Sequence, residues 1–408
     1  MTKLGRREFN AALLMGAASA RSLWGLPPSI EDALKPGVER HQIPAAAAMV
    51  ANADRITYSG AFGKRDSSSA APLGIDAIFA IASMTKAITS AAAMQLVERG
   101  KLSLDEPAAK HLPELGALQV LHGYDAAGKP VLKPATKTVT LRNLMTHTSG
   151  FCYAFFDKQM FEYQSKVGGP PPGTVAPLTP LMFEPGTRWQ YGTGLDWTGR
   201  LVEVVSGLSL EDYFQKNLLG PLGMKDTSFI PKPEKFERVV TGYARQADGS
   251  LKENPRTMPA PPKAFNGGGG LYSTAGDYVR FMQMILNRGA GPDGRILEAK
   301  SVELMSSNQT GDIQAGARMQ SMMPNLSNDV DLHPGESDRY TFGFLLNPKA
   351  YPGGRSAGSL AWAGIFNTFF WIDPQRKLCA VLMMQFLPFG DTEALGLLGE
   401  FERAVYLA

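Results

Sequence analysis

The spacing of apolar residues changes along the chain and predicts where its helices and strands lie. Near the N-terminus, Ser29 to Glu39 has the pattern of a helix, whereas Ala45 to Ala51 and Arg55 to Phe62 have the composition of strands. Asn52-Ala53-Asp54 between the two strands predicts a tight turn. The two strands are therefore expected to form an antiparallel hairpin.

Strand patterns return near the C-terminus. Tyr340 to Leu345, Thr368 to Ile372 and Leu378 to Met384 predict three strands, the last two turned at Asp373-Pro374. A closing helix is predicted from Thr392 onward. Both ends of the chain are therefore expected to contribute to one mainly antiparallel sheet.

The segment between these ends is rich in helices and loops, and it includes an amphipathic helix predicted over Asp277 to Asn287. The pattern predicts an α/β (α+β) fold with two lobes. Residues 21–101 and 335–408 form a sheet-containing lobe, and residues 102–334 form a helix-rich lobe inserted between them. A functional site is expected in the cleft between the lobes.

Composition narrows the class of protein. The 408 residues are 44% hydrophobic and 19% charged, which is typical of a globular chain large enough for two lobes. A formal net charge of +3 is too small to indicate a nucleic-acid partner. The histidines and cysteines lack the spacing of metal ligands, so no metal or cofactor is predicted. Whether Cys152 and Cys379 form a disulfide is left open.

The N-terminus resembles a twin-arginine export signal. Arg6-Arg7-Glu8-Phe9 precedes the apolar run Ala11 to Ala18 and the small residues Ala18-Ser19-Ala20, which are typical of a cleavage site. The apolar run is too short to span a bilayer, so no stable membrane span is expected. Residues 1–20 are therefore predicted to be a signal segment of a periplasmic or secreted protein. The alternative is a cytoplasmic protein with a basic tail.

Ser83-Met84-Thr85-Lys86 is the stretch that points most directly to chemistry. Ala87 to Arg99 continues with good helix formers, so Ser83 is predicted in the first turn of a helix. Residues three apart share a helix face, which brings the Lys86 amine near the Ser83 hydroxyl as a candidate base beside a nucleophile. The alternative is a serine at a helix start with a solvated lysine, because the pattern fixes only two positions.

Three further motifs follow this serine in order. They are Leu144-Met145-Thr146-His147-Thr148-Ser149-Gly150, then Pro185-Gly186-Thr187-Arg188-Trp189-Gln190-Tyr191-Gly192-Thr193, and then Trp362-Ala363-Gly364. With these motifs, the chain from about Ile30 to its C-terminus resembles the serine β-lactamase-like superfamily. The resemblance is strongest to the family VIII carboxylesterases, which are similar to class C β-lactamases, and to the related lovastatin-type acyltransferases. It implies a β-lactamase/transpeptidase-like fold, with a mainly antiparallel sheet flanked by helices and a helix-rich second lobe.

The resemblance also implies roles for the matching residues. Ser83 would be the acylated nucleophile, with Lys86 and Tyr191 as the other catalytic residues. The backbone N–H groups of Ser83 and Ile365 would bind the oxyanion. A phenol is a poor base at neutral pH unless a nearby ammonium favours the phenolate, so the choice between Lys86 and Tyr191 as proton acceptor stays open. His147 is interpreted as a structural turn residue.

Trp362-Ala363-Gly364 bears on the choice of substrate. Lactamases and penicillin-binding proteins have Lys-Thr-Gly at this point, and that lysine attracts the carboxylate of the β-lactam. An indole in its place favours an uncharged ester. Lactamases also carry an asparagine two residues after the tyrosine, where this chain has Thr193.

Aromatic residues cluster after the first of these motifs. They either line an acyl pocket with Trp362 and Gly364 or pack in the core, since spacing alone does not choose between the two. The four residues are Phe151, Tyr153, Phe155 and Phe156.

Two other motifs are given weaker interpretations. Gly354-Arg355-Ser356-Ala357-Gly358 matches the nucleophile elbow of α/β-hydrolases, but no apolar strand directly precedes it and no histidine follows it in the chain. Ser356 is therefore interpreted as a loop serine. Gly267 to Gly270 lacks the lysine of a phosphate loop and indicates either close backbone packing near the site or a flexible turn.

Together these motifs predict a serine carboxylesterase that hydrolyses, or transfers the acyl group of, uncharged short-chain esters through an acyl-enzyme on Ser83. Its expected binding partner is a small-molecule ester. None of these motifs predicts the oligomeric state. One alternative is a β-lactamase or D-stereospecific peptidase. A second alternative, from a different class, is an inactive penicillin-binding-like protein, which the intact Ser83, Lys86 and Tyr191 argue against.

Overall fold

The structure is a computed structural model that describes residues 29–316, 318–333 and 337–408. The predicted signal segment, residues 1–20, lies outside the described residues. The described helices are α1 (Ile30–Arg40), α2 (Thr85–Glu98), α3 (Leu141–Met145), α4 (Lys158–Val167), α5 (Gly194–Ser206), α6 (Leu210–Phe214), α7 (Ala275–Leu286), α8 (Ala299–Ser306) and α9 (Thr392–Leu407).

The described strands lie near both ends and in the middle of the chain. They are β1 (Ala45–Asn52), β2 (Ile56–Gly63), β3 (Phe79–Ala80), β4 (Gln119–Tyr124), β5 (Pro130–Pro134), β6 (Tyr243–Arg245), β7 (Leu251–Glu253), β8 (Tyr272–Ser273), β9 (Ala290–Gly291), β10 (Gly294–Arg295), β11 (Arg339–Tyr340), β12 (Leu345–Leu346), β13 (Leu360–Gly364), β14 (Thr368–Asp373), β15 (Leu378–Met383) and β16 (Phe386–Leu387).

A seven-stranded antiparallel sheet forms the centre of the fold, in the order β11-β12-β13-β14-β15-β1-β2. Its strands come from both ends of the chain, as predicted. Successive residues of a strand point to opposite faces, and on β14 the Phe370 ring packs on Tyr278 of α7 while the Trp371 ring packs on Phe401 of α9. Helices therefore cover both faces, which explains why β14 is buried along its whole length.

The predicted helices and strands are largely confirmed, and one is wrong. Ser29 caps α1 as a capping box, because its side chain accepts from the N–H of Asp32 and the Asp32 carboxylate accepts from the N–H of Ser29. The strand predicted over Tyr340 to Leu345 is instead two short strands, β11 and β12. Gly343 between them has a φ of +98°, a left-handed conformation that reverses the chain.

Three observations concern membranes, metals and cysteines. Within residues 29–316, 318–333 and 337–408, no helix has the length and apolar character needed to cross a bilayer. In the same part of the chain, no three His, Cys, Asp or Glu side chains gather in a group that could hold a metal ion. Cys152 and Cys379 are both buried free thiols, so they do not form a disulfide.

Candidate active site

Ser83 lies in a 3-10 turn, Ala82–Met84, that leads directly into α2. Ala82 has a φ of +42°, which is strained for a residue with a Cβ atom. The turn is held in place from outside, since the N–H of Ile81 donates to the carbonyl of Leu271 at 2.9 Å. The N–H groups at the start of such a turn have no acceptor within the helix, so the N–H of Ser83 can bind an oxyanion.

The Lys86 amine is fully buried and has three polar neighbours. Its Nζ is 3.1 Å from Ser83 Oγ and 3.2 Å from Tyr153 Oη, and it also donates to the carbonyl of Gly268. In its neutral form, which a base requires, a lysine amine has two N–H groups and one lone pair. When Tyr153 and Gly268 accept the two N–H groups, the lone pair is left for the Ser83 proton, so this arrangement suits a base.

Asp196 closes a ring of contacts around this amine. Its Oδ1 accepts from the N–H of Gly268 at 2.9 Å, and its Oδ2 accepts from the hydroxyl of Tyr153 at 3.4 Å. Burial raises the pKa of the Asp196 carboxyl, although the charge of Lys86 and these two hydrogen bonds act in the opposite direction. Burial, together with the charge of Asp196, raises the pKa of the Tyr153 phenol well above its ordinary value. We call Lys86, Tyr153, Asp196 and Gly268 the Lys86 network.

The glycine-rich turn reaches this network by close backbone packing. A Cβ atom at Gly267 would lie 2.4 Å from the carbonyl oxygen of Leu195, and one at Gly268 would lie 2.7 Å from Asp196 Oδ1. Thr89, one turn along α2 from Thr85, donates its hydroxyl to the carbonyl of Gly267 at 2.6 Å. Of the two interpretations of these glycines, the structure therefore favours close packing over a flexible turn.

Tyr191 is a further neighbour of the Lys86 amine, whose Nζ is 4.9 Å from the centre of the phenol ring. Its hydroxyl is buried and has no hydrogen-bond partner among the described residues. The ring centre is 4.8 Å from that of His147 and 5.1 Å from that of Trp362. The Tyr191 hydroxyl is therefore held in position by ring packing rather than by a hydrogen bond.

His147 is a turn residue, as interpreted from the sequence. Its φ is +58°, and its carbonyl accepts from the N–H of Gln190 at 3.0 Å. Burial and the charge of Lys86 hold the pKa of the imidazole well below its ordinary value, so the ring is neutral near pH 7. A neutral ring beside Tyr191 supports the phenol without adding charge to the site.

Trp362-Ala363-Gly364 ends β13 beside the serine turn. A Cβ atom at Gly364 would lie 2.3 Å from the carbonyl oxygen of Ile81 and 2.4 Å from Thr368 Oγ1, so the strand can approach this closely only with glycine. The approach brings Ile365 to the same cavity as Ser83. Two backbone N–H groups near one reacting carbon are what an oxyanion site requires.

A cavity of about 220 Å³ opens at Ser83. The described residues that line it include no charged side chain; they are Ala82, Ser83, Tyr153, Phe155, Phe156, Tyr191, Asn266, Gly268, Gly269, Gly270, Met319, Leu332, Trp362, Ala363, Gly364, Ile365 and Phe389. Of the predicted substrate-binding residues, Phe151 is not in this wall. Its ring packs on Trp197 with centres 5.7 Å apart, so it is a core residue here, whereas Tyr153 reaches the cavity.

Ser356 is not part of this cavity wall. Its N–H donates to Asp373 at 2.9 Å, and its carbonyl accepts from the amide of Asn347 at 2.8 Å and from the hydroxyl of Ser359 at 2.9 Å. Within the part of the chain that the structure describes, Ser356 has no hydrogen bond to a histidine. These contacts agree with its interpretation as a loop serine.

Sequence reasoning did not identify Asp196, the Gly268 carbonyl or Asn266 as parts of the site. Asp196 follows Tyr191 by five residues, at the start of α5, and this short spacing is the one signal that the sequence offers. Its partner Gly268 is 72 residues further along the chain, and local patterns do not report such contacts.

The fold and the site together define the class of this protein. An antiparallel sheet flanked by helices, with a serine and a buried lysine three residues apart at a helix start, is the arrangement of serine β-lactamase-like enzymes. A family model described as Beta-lactamase matches residues 30–399, and the chain belongs to this family.

Relatives narrow the class further. Monacolin J acid methylbutanoyltransferase of Aspergillus terreus is 32% identical over 409 residues, which cover 92% of this chain and 95% of the relative. Lovastatin esterase of Penicillium rubens is 32% identical over 342 residues, covering 80% and 85% of the two chains. The solved structure of unliganded simvastatin synthase (LovD) from Aspergillus terreus has a TM-score of 0.78 and 30% identity, covering 92% of this chain and 97% of that one. The chain is thus an enzyme of a family of serine-type acyl hydrolases and acyltransferases.

Proposed function

We propose that this protein is a serine carboxylesterase that forms an acyl-enzyme on Ser83. The observation that carries the proposal is the contact between the Lys86 network and the serine, since the buried amine of Lys86 lies 3.1 Å from the Ser83 hydroxyl. The other contacts of this amine, with Tyr153 and with the Gly268 carbonyl, leave its lone pair for the serine proton.

The reaction then has two halves. Ser83 Oγ attacks the ester carbonyl while its proton passes to Lys86, and the N–H groups of Ser83 and Ile365 bind the oxyanion. Tyr191, whose hydroxyl has no partner among the described residues, can pass a proton to the departing alkoxide, and the Lys86 ammonium then gives its proton to the Tyr191 phenolate. Water next attacks the acyl-enzyme and its proton passes to the amine of Lys86, which is neutral again. Lys86 then gives that proton to Ser83 Oγ as the acid product leaves.

The cavity supports uncharged, short-chain acyl groups as substrates. A carboxylate that enters it loses hydration, and the described wall offers no cation to offset that cost. Trp362 stands where lactamases have the lysine that attracts a carboxylate. The volume of about 220 Å³ is small compared with sites for drug-sized ligands, which favours short acyl chains.

Acyl transfer to an alcohol is the second candidate. A relative named as a methylbutanoyltransferase and one named as an esterase are each 32% identical to this chain, over 92% and 80% of its length respectively. An alcohol that binds against Met319, Leu332 and Phe389 would replace water as the acceptor of the acyl group. Adding butanol to a p-nitrophenyl butyrate assay and measuring butyl butyrate against butyric acid separates hydrolysis from transfer.

Steady-state kinetics test the proposal. We expect turnover of p-nitrophenyl acetate and butyrate, and a loss of about 10³-fold or more in kcat for a folded Ser83→Ala variant. Nitrocefin and D-alanyl peptides should be poorer substrates. Faster turnover of nitrocefin or these peptides would favour the lactamase or peptidase alternative, and full ester turnover by Ser83→Ala would exclude this site.

A further inference from the structure

Asn266 is a polar residue of the cavity wall that the proposed mechanism does not use. It begins the glycine turn and lines the cavity together with Ser83 and Tyr191. Among the described lining residues it is the one side chain with an amide, a group that can donate two hydrogen bonds.

One contact determines how this amide is oriented. Asn266 Oδ1 accepts from the N–H of Gly268 at 2.8 Å. A backbone N–H can only donate, so the atom that faces it must be the oxygen, and the NH₂ group points away from it. Among the described residues, that NH₂ group has no hydrogen-bond acceptor, and Asn266 is half-buried. A ligand in the cavity can therefore accept from it.

The amide is also held rigidly with respect to the nucleophile. The carbonyl of Asn266 accepts from the N–H of Gly269 at 3.2 Å. The Gly268 N–H that binds Asn266 is shared with Asp196, and the Gly268 carbonyl accepts from the Lys86 amine. A donor that is fixed through the Lys86 network has a defined position relative to the scissile bond.

Thr193 cannot supply the contact that the lactamase asparagine makes with its substrate. It is 7% exposed, and its buried hydroxyl has no hydrogen-bond partner among the described residues. It is also not among the described residues that line the cavity. The amide at the cavity comes instead from the glycine turn, from a residue distant in sequence.

We propose that Asn266 is a substrate-positioning residue whose NH₂ group donates to a second oxygen of the substrate, close to the scissile ester. This inference rests on the esterase function proposed above. The substrate class is an ester with a carbonyl, ether or hydroxyl oxygen near the ester group, on either its acyl or its alcohol side. A simple alkyl ester has no such oxygen, so the Asn266 NH₂ group then donates to water.

Two pairs of esters of equal size test the proposal. On the acyl side, p-nitrophenyl methoxyacetate is compared with p-nitrophenyl butyrate. On the alcohol side, 2-methoxyethyl acetate is compared with butyl acetate. In each pair one CH₂ group is replaced by oxygen, and comparing variants with wild type cancels the intrinsic reactivity of each ester.

Two variants distinguish the loss of the Asn266 NH₂ group from a disturbance of the glycine turn. Asn266→Ala removes the whole amide, whereas Asn266→Asp keeps the oxygen that accepts from Gly268 and loses the NH₂ group. We expect the ether-to-alkyl ratio of kcat/KM to fall about fivefold in both variants, the value of one hydrogen bond, in the arm that contains the recognised oxygen. Thr193→Val, the matched control, should leave the ratio unchanged.

The outcomes are distinct. A fall in one arm identifies the acyl or the alcohol side as the source of the oxygen. Equal losses for ether and alkyl esters in both arms would overturn the inference and leave Asn266 with a role in shaping the turn. Should wild type turn over none of the four esters, the proposed function fails first. Asn266→Asp keeps the test informative if Asn266→Ala does not fold.

Discussion

The buried amine of Lys86 bears on the question that the sequence left open, namely which group takes the serine proton. Its Nζ is 3.1 Å from Ser83 Oγ, whereas the hydroxyl of Tyr191 has no hydrogen bond to any described residue. This geometry favours Lys86 as the acceptor in the free enzyme. Tyr191 is then available for the leaving group once substrate fills the cavity.

Tyr153 is expected to matter for rate rather than for binding. Tyr153→Phe removes the oxygen that accepts from Lys86 and the donor to Asp196. Because hydrogen bonds to charged groups are worth more than neutral ones, we expect kcat for p-nitrophenyl butyrate to fall about 10- to 100-fold, with KM within about twofold of wild type. Tyr163→Phe makes the same change outside the described cavity wall and serves as the control. Wild-type kcat in Tyr153→Phe would contradict the role of the Lys86 network.

Asp196 should shape the pH dependence of activity. Burial raises its pKa above the ordinary value of about 4, so the carboxylate exists only above that raised pKa. As pH falls through it, Asp196 gains a proton and no longer offers Lys86 a negative charge. We expect kcat/KM to decline on the acid side above about pH 4, and Asp196→Asn to have a lower plateau without this decline. The same decline of kcat/KM at low pH in wild type and in Asp196→Asn would contradict this role.

The same raised pKa has a consequence for stability. A carboxyl group that is harder to ionise in the folded state stabilises the fold fully below its unfolded pKa of about 4, and this stabilisation is lost as pH rises through the folded pKa. At neutral pH the ionised Asp196 therefore weakens the fold. Thermal unfolding at about pH 7 should show Asp196→Asn melting no lower than wild type. A clearly lower Tm would indicate that the charge instead stabilises Lys86.

At the scale of elements, the site depends on how closely β13 approaches the serine turn. In Gly364→Ala, the added methyl would collide with the Ile81 carbonyl at 2.3 Å and push β13 away from Ser83. We expect a loss of about 1–3 kcal/mol in the free energy of unfolding, together with lower kcat. Urea unfolding and ester turnover measure the two effects.

Gly116→Ala is the control for this prediction. The nearest atom to its added methyl would be the Ala109 Cβ at 3.5 Å, an ordinary contact, and Gly116 does not line the cavity. Equal effects of the two substitutions would show that the close approach at Gly364 is not what matters.

Elements that local sequence determines were predicted well. The side chains of Ser29 and Thr274 accept from backbone N–H groups and so cap α1 and α7. Strands β1 and β2 pair around the predicted turn. The hairpin of β4 and β5 was missed, and Tyr340 to Leu345 was wrongly assigned to one strand. These short strands depend on packing with distant parts of the chain; the turn at Gly343, for example, lies against Ala87 and Ser90 of α2.

The contacts of the site are likewise of two kinds, local ones that the sequence predicts and long-range ones that it does not. Ser83 and Lys86 meet because residues three apart share a helix face, which the sequence alone predicts. Asp196 and Gly268 meet across 72 residues, and the contact of Tyr153 with Lys86 spans 67, so no local pattern could reveal either. The aromatic cluster shows the limit most clearly, since Tyr153 reaches the cavity while Phe151, two residues before it, packs in the core.

At the scale of the whole molecule, the sheet unites both chain ends, and the cavity is lined by residues from both ends and from the middle of the chain. The lobe boundaries at residues 101 and 335 stay a prediction. Membership of the Beta-lactamase family establishes the kind of chemistry, whereas the substrate depends on a few residues of the cavity wall.

Export is a prediction about the whole chain that rests on sequence alone. We propose that residues 1–20 direct the folded protein through a twin-arginine pathway. Replacing both arginines, Arg6→Lys with Arg7→Lys, should leave the full-length protein in the cytoplasm, whereas the unaltered chain should be recovered outside it with an N-terminus near Arg21. An unaltered chain found uncleaved in the cytoplasm would support the alternative of a basic tail.

The proposed mechanism requires a covalent intermediate on Ser83, and active-site labelling shows whether this serine is the nucleophile. After treatment with a fluorophosphonate, mass spectrometry should find one adduct per chain, on the peptide that contains Ser83. The adduct should be absent from the Ser83→Ala variant. An adduct on Ser356, or none at all on a preparation that hydrolyses p-nitrophenyl esters, would contradict the assignment of Ser83 as the nucleophile.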